Sequence, residues 1–118
     1  MADGGSFDDA MQRVRARFLT TLAEYLETLD EIGAALDSGR ATVDHVVEAR
    51  HVLHRIAGAA GTLGRTELGA AARACEIETE RYLREGMPPL ASVASLIAQF
   101  CDRLDAEIGA GARDGIAI

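Results

Sequence analysis

The amino-acid sequence predicts an all-α domain, an antiparallel up-down four-helix bundle. Three observations carry that expectation. The apolar content is mostly Ala and Leu, which favour helix, and no clear run of alternating β-branched residues suggests a strand. Four stretches repeat apolar residues at three- and four-residue spacing, the period of an amphipathic helix. The connections between them are short and carry glycine or proline, which fits antiparallel neighbours. At 118 residues the chain suits one domain with a single core.

Residues 1–6 are expected to be a flexible leader, with Ser6 capping the first helix and Asp8 and Asp9 in its first turn, where negative charge meets the helix dipole favourably. Val14, Phe18, Leu22, Leu26, Leu29, Ile32 and Leu36 form its apolar stripe, and Gly39 stops it just past Asp37. Thr42 is a suitable cap for the second helix, whose stripe is Val46, Ala49, Leu53, Ile56, Ala60 and Leu63, with Gly64 at its end. Thr66 would cap the third, which buries Leu68, Ala72, Cys75, Thr79 and Tyr82 or Leu83 before Gly86. Met87-Pro88-Pro89 forbids its continuation. The fourth helix starts between Pro89 and Ser92 and buries Val93, Leu96, Ile97, Phe100, Leu104 and Ile108. The bundle is thus expected over residues 7–109, followed by a disordered Gly/Ala-rich tail over 110–118.

The formal charge is −7 and every basic residue is Arg. An acidic chain without a basic stripe is a poor binder of nucleic acid or of a membrane surface. No segment approaches the roughly 20 apolar residues of a membrane span, and the N-terminal residues lack the basic and apolar regions of a secretory signal. A cytoplasmic protein is expected. Cys75 and Cys101 lie on helical patterns without metal-ligand spacing and read as buried thiols of a reducing compartment.

The stretch from His54 to Gly64 departs from this plain pattern. Gly58 and Gly61 fall inside the second helix, where each glycine costs about 0.5–1 kcal/mol relative to alanine. At 100° per residue His54 lies about 130° from the centre of the buried stripe, and both glycines fall within roughly 40° of it. Val47 is an apolar residue on the same outward face. A solvent-facing imidazole in an apolar, side-chain-free surround suits the approach of another macromolecule. His51 is a turn earlier and more exposed, and reads as a surface residue. His45 sits at the edge of the stripe, where a packed or capping role is usual.

These residues resemble a known family. His54-Arg55-Ile56-Ala57-Gly58-Ala59-Ala60-Gly61-Thr62-Leu63-Gly64 is similar to the histidine-containing phosphotransfer (HPt) motif, His-x-Leu-Lys-Gly followed by small residues and a second glycine. The variant from Gly58 to Gly64 is particularly similar to the N-terminal phosphotransfer domain of chemotaxis histidine kinases. Leu68 through Glu76 resembles the family's third-helix pattern, and a weaker likeness extends over residues 8–108. The resemblance implies that His54 is the phospho-acceptor and that Glu76, at the place of a third-helix glutamate, hydrogen-bonds and orients it. It implies a partner-binding face of Val47, Arg50, His51, Arg55, Gly58 and Gly61. The partners would be a sensor histidine kinase or hybrid kinase and a response-regulator receiver domain, with Mg²⁺ on the partner and no cofactor on this chain.

One position departs from the family. Ala57 stands where a lysine usually helps to hold the phosphoryl oxygens. Arg55 and Arg50 are basic but occupy different helical positions. A neutral imidazole has a free lone pair and can attack a phosphoryl group without a separate base. Phosphoryl transfer depends on positioning and charge neutralisation, so one exposed histidine suffices when the partner supplies the metal. The chain has no Gly-rich phosphate loop and is expected to lack ATP-dependent kinase activity of its own. The alternative reading is a docking or adaptor module that binds a receiver or kinase without being phosphorylated. A metal site on His51 and His54 has the spacing but no inward Glu-x-x-His set.

Overall fold

The computed structural model describes residues 2–113, with side chains from Ser6 onward. Four helices follow one another: α1 (Ala2–Asp37), α2 (Val43–Thr62), α3 (Thr66–Glu85) and α4 (Leu90–Arg113). Each packs on two neighbours in the ring α1–α2–α3–α4–α1, and the described residues contain no strand. This is the four-helix bundle that the apolar periodicity predicts. Its core is aliphatic: Leu22, Leu29 and Ile32 from α1, Leu53 and Ile56 from α2, Leu68 from α3, and Val93, Ile97 and Leu104 from α4 are all fully buried. Cys75 and Cys101 are free buried thiols. Burial pushes the Cys75 thiol up to about 11; burial and then the nearby Asp30 charge push Cys101 up to about 12. Neither is poised as a thiolate.

The ends of α2 are set by local chemistry. Thr42 is the N-cap of α2. Its amide N–H donates to Nδ1 of His45 at 3.0 Å, which gives His45 a capping role. At the other end Gly64 has φ +75°, a left-handed conformation that costs glycine little. It lets the Arg65 N–H return to the Ala60 carbonyl at 2.8 Å and closes α2.

Several boundaries differ from the sequence expectation. The leader over residues 1–6 is helical from Ala2, so Ser6 lies within α1 and does not cap it. Once packing from Phe18 onward nucleates the helix, each added residue costs only its propensity, and no proline blocks the extension. Near the start of α1 Phe7 and Val14 are exposed, although Val14 fits the apolar spacing. At 36 residues α1 is about 54 Å long and dominates the 58 Å long axis. Arg65, not Thr66, is the cap residue of α3. α4 runs past Gly109 to Arg113, into the expected tail, and residues 114–118 lie outside the described residues.

Packing explains the longer α4. Gly111 is buried, and a Cβ placed on it would lie 2.7 Å from Cδ2 of Leu19, so the glycine permits close approach of α4 to α1. Gly111→Val is expected to destabilise the fold by about 1–3 kcal/mol through overpacking. The denaturant midpoint would fall, whereas an unchanged midpoint would show that α4 does not seat here.

Candidate functional site

The site is built on the packed pair of helices α2 and α3. Gly69 on α3 is buried against α2, and a Cβ there would lie 3.4 Å from the Ala57 carbonyl and 3.5 Å from Cβ of Ala60. Small residues on both helices let the backbones approach, and side chains from the two helices meet one to two turns away. His54 projects from α2 with 69% of its side chain exposed. Its Nδ1 lies 2.8 Å from Oε2 of Glu76 on α3.

The burial of Glu76 is the part of this pair that the sequence pattern did not show. Its side chain is only 4% exposed, so it is a buried carboxyl and not a solvated surface glutamate. A buried carboxylate is costly unless both oxygens find donors. Here Oε2 meets His54 and Oε1 accepts a hydrogen bond from Nη1 of Arg73 at 3.2 Å. Among the described residues no buried side-chain polar atom lacks a partner.

The hydrogen bond selects a tautomer of the ring. A carboxylate only accepts, so the 2.8 Å contact requires the proton on Nδ1 of His54. The lone pair of the neutral imidazole is then on Nε2, the nitrogen on the far side of the ring from Glu76. The exposed ring is thereby held in one orientation, with Nε2 facing away from Glu76.

Around it the surface is bare. Gly58 and Gly61 are exposed, and a Cβ on either would meet nothing within 4 Å. Neither glycine is needed for helix packing or backbone conformation, in contrast to Gly69 and Gly64. Towards the start of α2, Val47, His51 and Arg55 line a shallow groove with Asp44, Glu48 and Val52. Arg50 approaches Nε2 of His51 at 3.1 Å through Nη2. Neither Arg50 nor Arg55 is hydrogen-bonded to His54 or Glu76 among the described residues. The basic residue joined to the pair is Arg73, which the sequence reading passed over. The Arg-x-x-Glu spacing is visible in the sequence. Its connection to His54 is not, because it depends on which face of α3 meets α2.

Among the described residues no cluster of His, Cys, Asp and Glu side chains is arranged to hold a metal ion. No described helix is long and apolar enough to cross a membrane. No curated protein and no solved structure matches this chain. A family model does: the Hpt domain matches residues 13–108, which take in all of α2 and α3 and the His54–Glu76 pair. With that match extending over most of the chain, and with a helical bundle beneath it, the protein belongs to the Hpt domain family, the phosphotransfer modules of two-component systems.

Proposed function

We propose that the protein is a phosphorelay carrier in which Nε2 of His54 accepts a phosphoryl group and passes it on. The observation that carries this reading is the 2.8 Å bond between Nδ1 of the exposed His54 and the buried Glu76 carboxylate. The donor is a histidine kinase or a phosphorylated receiver, and the acceptor is the Asp of a response-regulator receiver domain. In the loading step the Nε2 lone pair forms a bond to phosphorus. The bond from phosphorus to the donor atom breaks, and its electron pair leaves with the donor.

The ring gains positive charge as the N–P bond forms. Glu76, already bound to Nδ1–H, lies where that charge develops and stabilises it without reorganisation. The return step reverses these events: a receiver carboxylate oxygen attacks phosphorus, and the N–P pair returns to Nε2. A Mg²⁺ ion held by the partner would supply the charge neutralisation that the phosphoryl oxygens need in both transfers. This chain supplies an oriented nucleophile and a surface that admits the partner, with Val47, Arg50, His51 and Arg55 at one side of His54 and Gly58 and Gly61 at the other. It has no ATP-dependent step of its own.

The open space at Gly58 and Gly61 fits this role. In a helix interior each glycine lowers stability by about 0.5–1 kcal/mol relative to alanine, and nothing inside the fold requires either one. Clearance for a receiver domain is the use that remains.

The test is a phosphotransfer profile against the kinases and receivers encoded by the same genome. Wild type is expected to acquire acid-labile phosphate and His54→Gln to acquire none; equal labelling of that variant would remove His54 from the mechanism. A wild type that binds a receiver but never labels would support a docking module, the reading that Ala57 favours.

A second outcome separates stability from function. Gly58→Ala and Gly61→Ala together are expected to raise unfolding stability by about 1–2 kcal/mol while slowing transfer to the receiver. A double variant that transfers at the wild-type rate would show that these glycines are not clearance for the partner.

A further inference from the structure

Ala57 leaves α2 without a cation at the position where the family carries its lysine, and the structure places one opposite it on α3. Two contacts define how the helices face each other. Glu76 meets His54, and a Cβ on Gly69 would lie 3.6 Å from the amide nitrogen of Gly61. Both pairs belong to one antiparallel register. Three residues back along α3, from Glu76 to Arg73, correspond to three residues on along α2, from His54 to Ala57. Arg73 therefore stands level with Ala57 across the helix pair.

We propose, resting on the phosphotransfer reading, that Arg73 is the phosphoryl-binding cation of this site. In the unphosphorylated protein its Nη1 donates to Oε1 of Glu76 at 3.2 Å, while 59% of its side chain remains exposed. A guanidinium has five N–H donors in a planar fork suited to phosphoryl oxygens, and this contact occupies one of them. Before loading, Arg73 supplies a positive charge beside the buried Glu76 carboxyl group.

Loading changes that balance. As the N–P bond forms, the imidazole becomes cationic and pairs directly with Glu76 through Nδ1. The carboxylate no longer depends on Arg73. The arginine then turns its donors towards the new dianionic group on Nε2, where negative charge has just arrived. One cation thus serves the carboxylate before transfer and the phosphoryl group after it. The exposed, unbranched side chain permits the movement without disturbing the core.

Phosphoramidate is a suitable probe because it needs no partner protein. Nε2 of His54 forms the new N–P bond, the donor's own N–P bond breaks, and ammonia leaves with that electron pair. Phosphohistidine formation would be followed by ³¹P NMR in wild type, Arg73→Ala and the double variant Ala57→Lys/Arg73→Ala. Arg73→Ala is expected to label about tenfold more slowly, the effect of one charge-assisted hydrogen bond. Ala57→Lys is expected to restore the rate by placing a cation at the same level from α2. Labelling of Arg73→Ala at the wild-type rate would overturn the proposal while leaving His54 as the phosphoryl acceptor. Slow labelling that Ala57→Lys does not correct would assign Arg73 to holding Glu76 and would overturn the phosphoryl contact. Absence of label on wild type would instead overturn the phosphotransfer reading, and this proposal with it.

Discussion

A carboxyl group with 4% exposure needs donors, and the site around Glu76 follows from that requirement. Glu76 is buried because α3 turns it towards α2 in line with Leu68 and Ala72, and Gly69 lets the two backbones approach. Two donors reach it from two directions: Nδ1–H of His54 on the facing helix and the guanidinium of Arg73 one turn away on its own. The first contact orients a ring that is otherwise largely in solvent. An exposed histidine on a lone helix would sample several rotamers and both tautomers. Here the buried end of a hydrogen bond restrains the exposed side chain.

This arrangement separates two demands that usually conflict. A nucleophile that must meet another protein has to be accessible, while a nucleophile held in one orientation normally has to be packed. In the proposed carrier role the bundle meets the first demand on α2, through His54 between a shallow groove and two bare glycine positions. It meets the second on α3, inside the helix interface. The aliphatic core fixes the helix register that brings the two together. A substitution far from His54 that shifts α3 along α2 would therefore act on the site through Glu76.

Most of the fold was legible in the sequence because apolar periodicity and glycine stops are local signals. The four helices, the capping position of Thr42 and the terminators Gly39, Gly64 and Gly86 all follow from them. The outer ends were less legible. Val14 continues the apolar spacing of α1, yet its side chain is exposed. Gly109 reads as a stop, but α4 continues because Gly111 packs on Leu19, a contact between residues 92 positions apart. The site shows the same division. The outward direction of His54, Gly58 and Gly61 is a property of one helix and can be read from a wheel. The burial of Glu76 and the attachment of Arg73 depend on how two helices meet, and only resemblance to a family pointed to the glutamate.

The central claim is that Glu76 holds the proton of neutral His54 on Nδ1 and leaves Nε2 free to attack. The most direct measurement is the ¹⁵N spectrum of histidine-labelled protein, taken at a pH where the imidazoles are neutral. An unconstrained imidazole favours the proton on Nε2. The account predicts the opposite tautomer for His54 in wild type, reverting to the unconstrained preference in Glu76→Ala, with His51 unchanged between the two. A wild-type His54 protonated on Nε2 would contradict it.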